Sequence, residues 1–492
     1  MARLQLIVPL LLWLIWLSNA ADAQAWQLMP AGIGTVVYLL SLAMIVLWVR
    51  SSARRVMQRH PNAAGAGVGR LHQTVFAARW IILSLHTFAL FCLGFGNFIQ
   101  SITPSWAESI DTVSASLSLI PIAAAWLGLV WAQSPLDRAV REQNALYAFE
   151  FGEPVYPIPT FRQQILAAFR LQILFTLLPV LLIGLIRDVA YVVLQHFGRS
   201  GSGLLDLLLT LGAMALIFIL SPELLRRVLP THRLPASELR DRLEAMCLRL
   251  KMRYREILIW RTHHTVDNAA VMGIVPQVRY ILLSDLLIAT MTQDQIEAVF
   301  AHEAGHVKHR HMTWYLVFFM TLTLALSSVG NALSSWHPVP QYLSPADLDT
   351  LLTLAGIVMF FVLFGALSRA MERQADVFAA IAMTAKTSEQ PAVGRDGVAL
   401  FCSALAKVAR VNNMPLDGQS MAFGKRGVRL LYARIVNHSA NWLHGSIRSR
   451  LDYLQGLVDN PQQLEAFNRN MLLIRLLLLA ALIGTIALAT FA

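Results

Sequence analysis

Eight long apolar runs dominate the chain, near 33–49, 80–99, 113–132, 169–186, 204–220, 313–333, 350–367 and 471–491. Each is long enough to cross a bilayer as a helix. The 169–186 run opens with Arg170, so its membrane portion is expected to start slightly later. A shorter apolar stretch, Leu4 to Leu17, follows Arg3 and ends in the small residues Ser18, Ala20, Ala21 and Ala23. That pattern reads as a secretory signal peptide, with an uncleaved first helix as the alternative. Between the runs, polar residues are unevenly placed. Arg50, Arg54, Arg55, Arg59, Arg70 and Arg79 follow the first long run, whereas 100–112 holds Glu108 and Asp111 and neither Lys nor Arg. The 334–349 loop carries only Asp347 and Asp349. Positive loops stay inside, so 133–168, 221–312 and 368–470 are expected in the cytoplasm.

Residues 221–312 have a different texture. Ser237 can cap a helix carrying Leu239, Leu243, Met246 and Leu250 at helical spacing. Val278 to Leu283 reads as a strand, and Thr292–Gln295 as a capping box opening a further helix. The Gly-rich 64–69 and Pro-rich 154–159 patches read as loops.

Composition agrees with this reading. Of 492 residues, 56% are hydrophobic and 14% charged, too little polar material to cover a soluble globule. The net charge of +11 follows the loop bias and suits anionic lipid; it is not read as a nucleic-acid signal. Cys92, Cys247 and Cys402 are scattered and imply no disulfide framework or thiolate metal site.

Chemistry concentrates at His302-Glu303-Ala304-Gly305-His306. On a helix, residues four apart share a face, so both imidazoles can reach one metal ion with Glu303 beside them. Zinc proteases need this combination: neutral nitrogen ligands and a carboxylate that takes a proton from the attacking water. The next span is expected to continue this same helix. Beyond the 350–367 run, Arg369, Glu372 and Asp376 fall on one helical face. Glu372 can be the third ligand, Asp376 can accept from a ligating imidazole, and Arg369 can hold a carboxylate. The 66-residue interval from His306 to Glu372 fits a helical hairpin that leaves and re-enters the same side of the bilayer. His309 lies near the ligand face but reads as a surface anchor, and His311 falls on the opposite face. His263 and His264 read as loop residues, and Arg448 and Arg450 as partners of lipid phosphate.

HEAGH, Ser368-Arg369-Ala370-Met371-Glu372-Arg373-Gln374-Ala375-Asp376 and Trp442-Leu443-His444-Gly445-Ser446-Ile447 together resemble the integral-membrane zinc metalloproteases. That group includes the CAAX prenyl endoproteases and the bacterial heat-shock membrane proteases. The resemblance covers roughly 220–460. It implies a gluzincin site with His302, His306 and Glu372 on zinc and Glu303 as base. It also implies that Asn268-Ala269 lies on an edge strand pairing with substrate, although the usual preceding proline is Asp267 here. His444 becomes a candidate oxyanion stabiliser.

The expected fold is a mainly α, polytopic transmembrane helix bundle with a gluzincin-type domain carrying a small β-sheet. Its segments are a signal peptide or first membrane segment at 1–23, an amino-terminal bundle at 24–220, a protease domain at 221–470 including the hairpin 313–367, and a final membrane helix at 471–492. The expected activity is zinc-dependent endoproteolysis of membrane-associated or misfolded polypeptides at the cytoplasmic face of the cell membrane. The alternatives are a non-catalytic scaffold and a transporter. The sequence does not fix an oligomeric state.

Overall fold

The computed structural model describes residues 7–18, 26–59, 66–152, 155–198, 203–336, 342–384, 393–412 and 443–491. The chain divides into two compact units. One comprises Met1–Ile217 and His337–Thr353; the other comprises Phe218–Trp336 and Leu354–Ala492. Among the described residues, eight helices are long and apolar enough to cross a membrane, and each overlaps one of the eight apolar runs. The chain is a multi-pass membrane protein.

The first unit contains α1 (Ile7–Ser18), α2 (Ala31–Arg59), α3 (Ala66–Phe91), α4 (Phe95–Ile102), α5 (Asp111–Glu150), α6 (Phe161–His196, with a wide turn at Phe169–Leu174) and most of α7 (Gly203–Val228). Trp13 and Trp16 of α1 are fully buried in the same apolar cluster as Tyr38, Phe95, Ile122 and Trp126. The proposed cleavage positions beyond Ser18 lie outside the described residues, as do 64–65 and Pro154. The rest of the Gly-rich patch, read as loop, instead opens the helix that begins at Ala66, because the apolar period continues through it.

Two expected spans have different limits. The 80–99 run is not one helix: α3 stops at Phe91, Gly94 turns left-handed at φ 72°, and α4 begins at Phe95. A left-handed residue interrupts the helical hydrogen-bond ladder, and glycine adopts it without a Cβ clash. The 113–132 run is the apolar part of the longer α5, which continues to Glu150. Helix-favouring residues carry it onward, including the Arg138–Glu142 pair one turn apart.

In the second unit, a four-stranded sheet precedes the HEAGH helix. It contains β1 (Thr231–Arg233), β2 (Glu256–Trp260), β3 (Ala269–Met272) and β4 (Tyr280–Ser284), with α8 (Glu238–Arg249) between β1 and β2. The order is β1-β2-β4-β3: β2 and β4 run parallel, and the other two pairs are antiparallel. Every residue of β4 is buried, as expected for a strand covered on both faces. The strand begins at Tyr280 rather than Val278 because Pro276–Val278 form a tight 3-10 turn. Proline at the start of that turn has no N–H to give to a ladder. Ser237 and Thr292 cap their helices as the sequence predicts, Thr292 in a full capping box with Gln295.

After α9 (Asp285–Thr290), the HEAGH helix α10 (Gln293–Lys308) is tied to α8 by Arg242, which contacts Gln293, Asp294 and Glu297. The next span, α11 (His311–Ser335), is a separate helix, not a continuation of α10. His309 ends α10, and Arg310 is left-handed at φ 57°. The chain returns through α12 (Pro345–Met359) and a wide turn at Phe360–Phe364 into α13 (Gly365–Thr384). There follow α14 (Arg395–Val411), α15 (Ile447–Leu457) and α16 (Pro461–Phe491). Helices α10 and α13 approach closely: a Cβ on Gly305 would lie 3.0 Å from the Ala375 Cα. Phe300, Ala301, Met371 and Ala375 fill the surrounding core. Leu472, Leu473, Leu476, Leu477 and Ile483 of α16 remain exposed, a surface suited to hydrocarbon rather than water.

Candidate metal centre and substrate edge

The close helix contact brings three donors together. His302 Nε2 lies 3.2 Å from His306 Nε2. The Glu372 carboxylate oxygens lie 3.6 Å from each of those nitrogens. All three ligand atoms fall within 4.8 Å of one another, and the residues are buried or half-buried. Among the described residues this is the one such cluster.

The partners of the other ring nitrogens decide what the cluster can hold. His302 Nδ1 is 3.0 Å from Asp376 Oδ1, so that nitrogen carries the proton and Nε2 keeps its lone pair. His306 Nδ1 is 2.8 Å from His311 Nδ1, and His311 Nε2 is 3.1 Å from Gln374 Oε1. Arg475 also donates to Gln374 Oε1, at 2.8 Å, which identifies that atom as an acceptor. His311 therefore donates through Nε2 and accepts through Nδ1; His306 donates through Nδ1 and also keeps an Nε2 lone pair. Two lone pairs and a carboxylate thus face one another away from water. Without a cation between them this arrangement is repulsive. Donors around zinc, bound at about 2.0–2.1 Å in a tetrahedron, lie roughly 3.3–3.4 Å apart. The observed separations fit that spacing.

Charge around the cluster is organised accordingly. Burial, and then the neighbouring His302, hold His306 down at about 4, which favours the neutral ring that a metal requires. Burial also pushes His302 down, but its hydrogen bond and charge interaction with Asp376 leave it raised overall. Arg450, buried on α15, donates to both Asp376 oxygens at 2.8 and 2.6 Å and lies 3.4 Å from Glu372 Oε2. This guanidinium spans both carboxylates, so Arg450 is not a lipid anchor. Arg369, proposed for that task, is half-buried, with its Cδ 3.9 Å from where a Gly445 Cβ would be.

Glu303 does not join the donor triad. Its Oε2 accepts the Val271 N–H at 3.2 Å, and burial raises its carboxyl to about 6. Val271 sits on β3, whose only sheet neighbour among the described residues is β4. Antiparallel ladders alternate the direction of their backbone groups. The Val271 N–H turns away from β4, so Ala269 shares its direction, while Ser284 N donates to Asn268 O on the ladder side. Among the described residues, the β3 edge next to Glu303 therefore presents backbone groups at Ala269 that no strand pairs. Asn268 N donates to Ser284 Oγ. His444, largely exposed, has its Nδ1 3.0 Å from Glu372 Oε1. Trp442 lies outside the described residues.

Other histidines separate from the cluster. His309 packs edge-on against Phe378, and its carbonyl accepts from Arg475. His263 and His264 occupy left-handed loop positions. His311 is the correction of greatest consequence. Uninterrupted helix placed it opposite the ligands, but the break at His309–Arg310 turns it back onto His306. Phe401 of α14 also stacks on the His302 ring, with centroids 5.7 Å apart, a contact no local motif announces.

The model of peptidase family M48 matches residues 233–395, which hold the donor triad, Glu303 and Asp376. These residues form a peptidase family M48 domain. The match bears out the resemblance to membrane metalloproteases drawn from HEAGH and the following motif. The chain is 29% identical over 185 residues to the CAAX prenyl protease 1 homolog of Arabidopsis thaliana. That alignment covers 35% of this chain and 42% of the plant protein, so the chain matches less than half of its relative. The crystal structure of S. mikatae Ste24p aligns over 87% of this chain and 99% of its own, with 16% identity and a TM-score of 0.49.

Proposed function

We propose that the chain is a membrane zinc endopeptidase. The observation that carries this reading is the convergence of two lone-pair nitrogens and the Glu372 carboxylate beside Glu303. His302, His306 and Glu372 would hold the ion; zinc, when bound, polarises a carbonyl and acidifies water. Glu303 takes the proton of the attacking water and returns it to the leaving amine. Its bond from Val271 couples that carboxylate to the strand edge, where Asn268-Ala269 receives an extended substrate as an added strand. Backbone pairing of this kind demands little of the substrate sequence. His444 is assigned to the oxyanion, leaving Glu372 when substrate arrives. Asp376 and Arg450 fix the donors, with Arg369 on the same helical face.

The Arg-rich loops support a site at the cytoplasmic face of the cell membrane, in a proposed domain of about 221–470 that follows the 24–220 bundle and precedes the 471–492 helix. The substrates are membrane-associated or misfolded polypeptides. The test is Glu303→Gln in the full chain: zinc content is expected to persist while peptide cleavage falls by at least a hundredfold, within the range attributed to general acid–base catalysis. Undiminished cleavage would remove Glu303 as the base.

A further inference from the structure

A cavity of about 590 Å³ opens beside the candidate centre, walled by His306 of α10 and Val271 of β3. Four exposed cations ring it: Lys251 and Arg253 from the turn after α8, and Lys308 and Arg310 from the break between α10 and α11. Arg279 also lines it, but this guanidinium is spent on the Gly273, Ile274 and Arg253 carbonyls. Lys308 Nζ donates one bond to the Leu250 carbonyl at 3.4 Å, and no carboxylate lines the cavity among the described residues. Lys251 and Arg310 hold left-handed backbone conformations, and the two turns they mark each contribute two basic residues to the lining of one concavity. Like charges facing one hollow repel, and the arrangement gains from an anion between them.

We propose that this cavity is a substrate subsite that selects acidic side chains immediately N-terminal to the scissile bond. The proposal rests on the peptidase reading above. Direction follows from the strand edge. The cavity lies at the C-terminal end of β3, beyond Val271, where Gly273 and Ile274 line it. A substrate adding antiparallel to β3 brings its N-terminal residues to that end and its scissile bond toward Ala269. The sharing of His306 and Val271 by cavity and candidate centre favours a substrate over lipid, since a headgroup site has no need of the cleft wall. Backbone pairing then binds any extended chain, while the cations choose among chains.

The test uses the full-length Glu303→Gln protein in zwitterionic nanodiscs at low salt, with binding read by fluorescence anisotropy, so that it does not depend on turnover. The probes are two otherwise uncharged nonapeptides carrying two Glu or two Gln residues ahead of the central bond. The Glu peptide is expected to bind about tenfold more tightly, a preference that shrinks as salt is raised. Lys251→Glu combined with Arg253→Glu is expected to abolish the preference, and moving the Glu pair behind the central bond to lose most of it. Equal binding of both peptides would overturn the proposal. So would an unchanged preference in the double variant; a parallel loss of that variant's binding to vesicles containing anionic lipid would then assign the cations to headgroups. Acid preference without cleavage by the wild-type chain would count against the peptidase reading and leave the subsite standing.

Discussion

The two units bury polarity differently. In the first, buried polar groups are scattered, and those that find partners do so in small separate sets. Tyr38 hydroxyl meets His86 Nδ1 at 2.7 Å, and Asp188 accepts from the Thr112 backbone and hydroxyl while pairing with Arg187. In the second, His302, His311, Glu372, Gln374, Asp376 and Arg450 are buried in one connected network. A lone buried hydroxyl or imidazole needs one partner, whereas buried charge is tolerated only when it is paired and hydrogen-bonded. The isolated pairs shape a bundle; the connected network prepares a place for a cation.

This contrast can be broken most severely at Arg450. Arg450→Leu leaves Glu372 and Asp376 facing each other with one positive group fewer, and is expected to cost about 3–5 kcal/mol in chemical unfolding. A loss under 1 kcal/mol would show that the network is not held by this guanidinium. His311→Ala should be milder for folding but specific for metal: chelator competition should read a 10–100-fold weaker zinc affinity, with His311→Asn recovering part of it. Unchanged affinity would reduce His311 to packing. In the first unit, Asp188→Ala is expected to destabilise by about 1–3 kcal/mol by freeing the Thr112 donor, while zinc affinity stays the same. A change in zinc affinity there would erase the distinction between the units.

Asp267 gives the smallest effect and a pH signature. Burial raises its carboxyl to about 6, above the ordinary unfolded value near 3.9. The folded chain then binds the proton more tightly than the unfolded chain, so this group's contribution is greatest below about pH 4 and is lost as pH rises through 6. Asp267→Asn should therefore gain about 1–2 kcal/mol relative to wild type at pH 7, a difference that vanishes at pH 4. A pH-independent difference would contradict the assignment.

Much of this was legible in the chain. Apolar runs long enough to span a bilayer located all eight candidate membrane helices among the described residues, because the solvent imposes that length on any backbone that must satisfy itself internally. The helical period placed His302 with His306 and Glu372 with Asp376, and the hairpin length suggested that the two pairs meet. Sequence period failed where continuity failed. Neither the left-handed Arg310 nor the break at Gly94 alters hydropathy, so α10 and α11 read as one helix and α3 and α4 as one span. Continuous helix then sent His311 to the wrong face. Arg450 was misread for another reason: a basic residue far along the chain carries no local mark of the two buried carboxylates it will meet.

The central claim is that Glu372 shares one ion with His302 and His306. Zinc content and K-edge absorption of the purified full-length protein, compared with Glu372→Ala, test it most directly. The account predicts about one zinc per chain, with two imidazoles and carboxylate oxygen at about 2.0–2.1 Å, and loss of most of that zinc in the variant. Zinc retained by Glu372→Ala with an unchanged spectrum, or a wild-type spectrum without imidazole scattering, would contradict it.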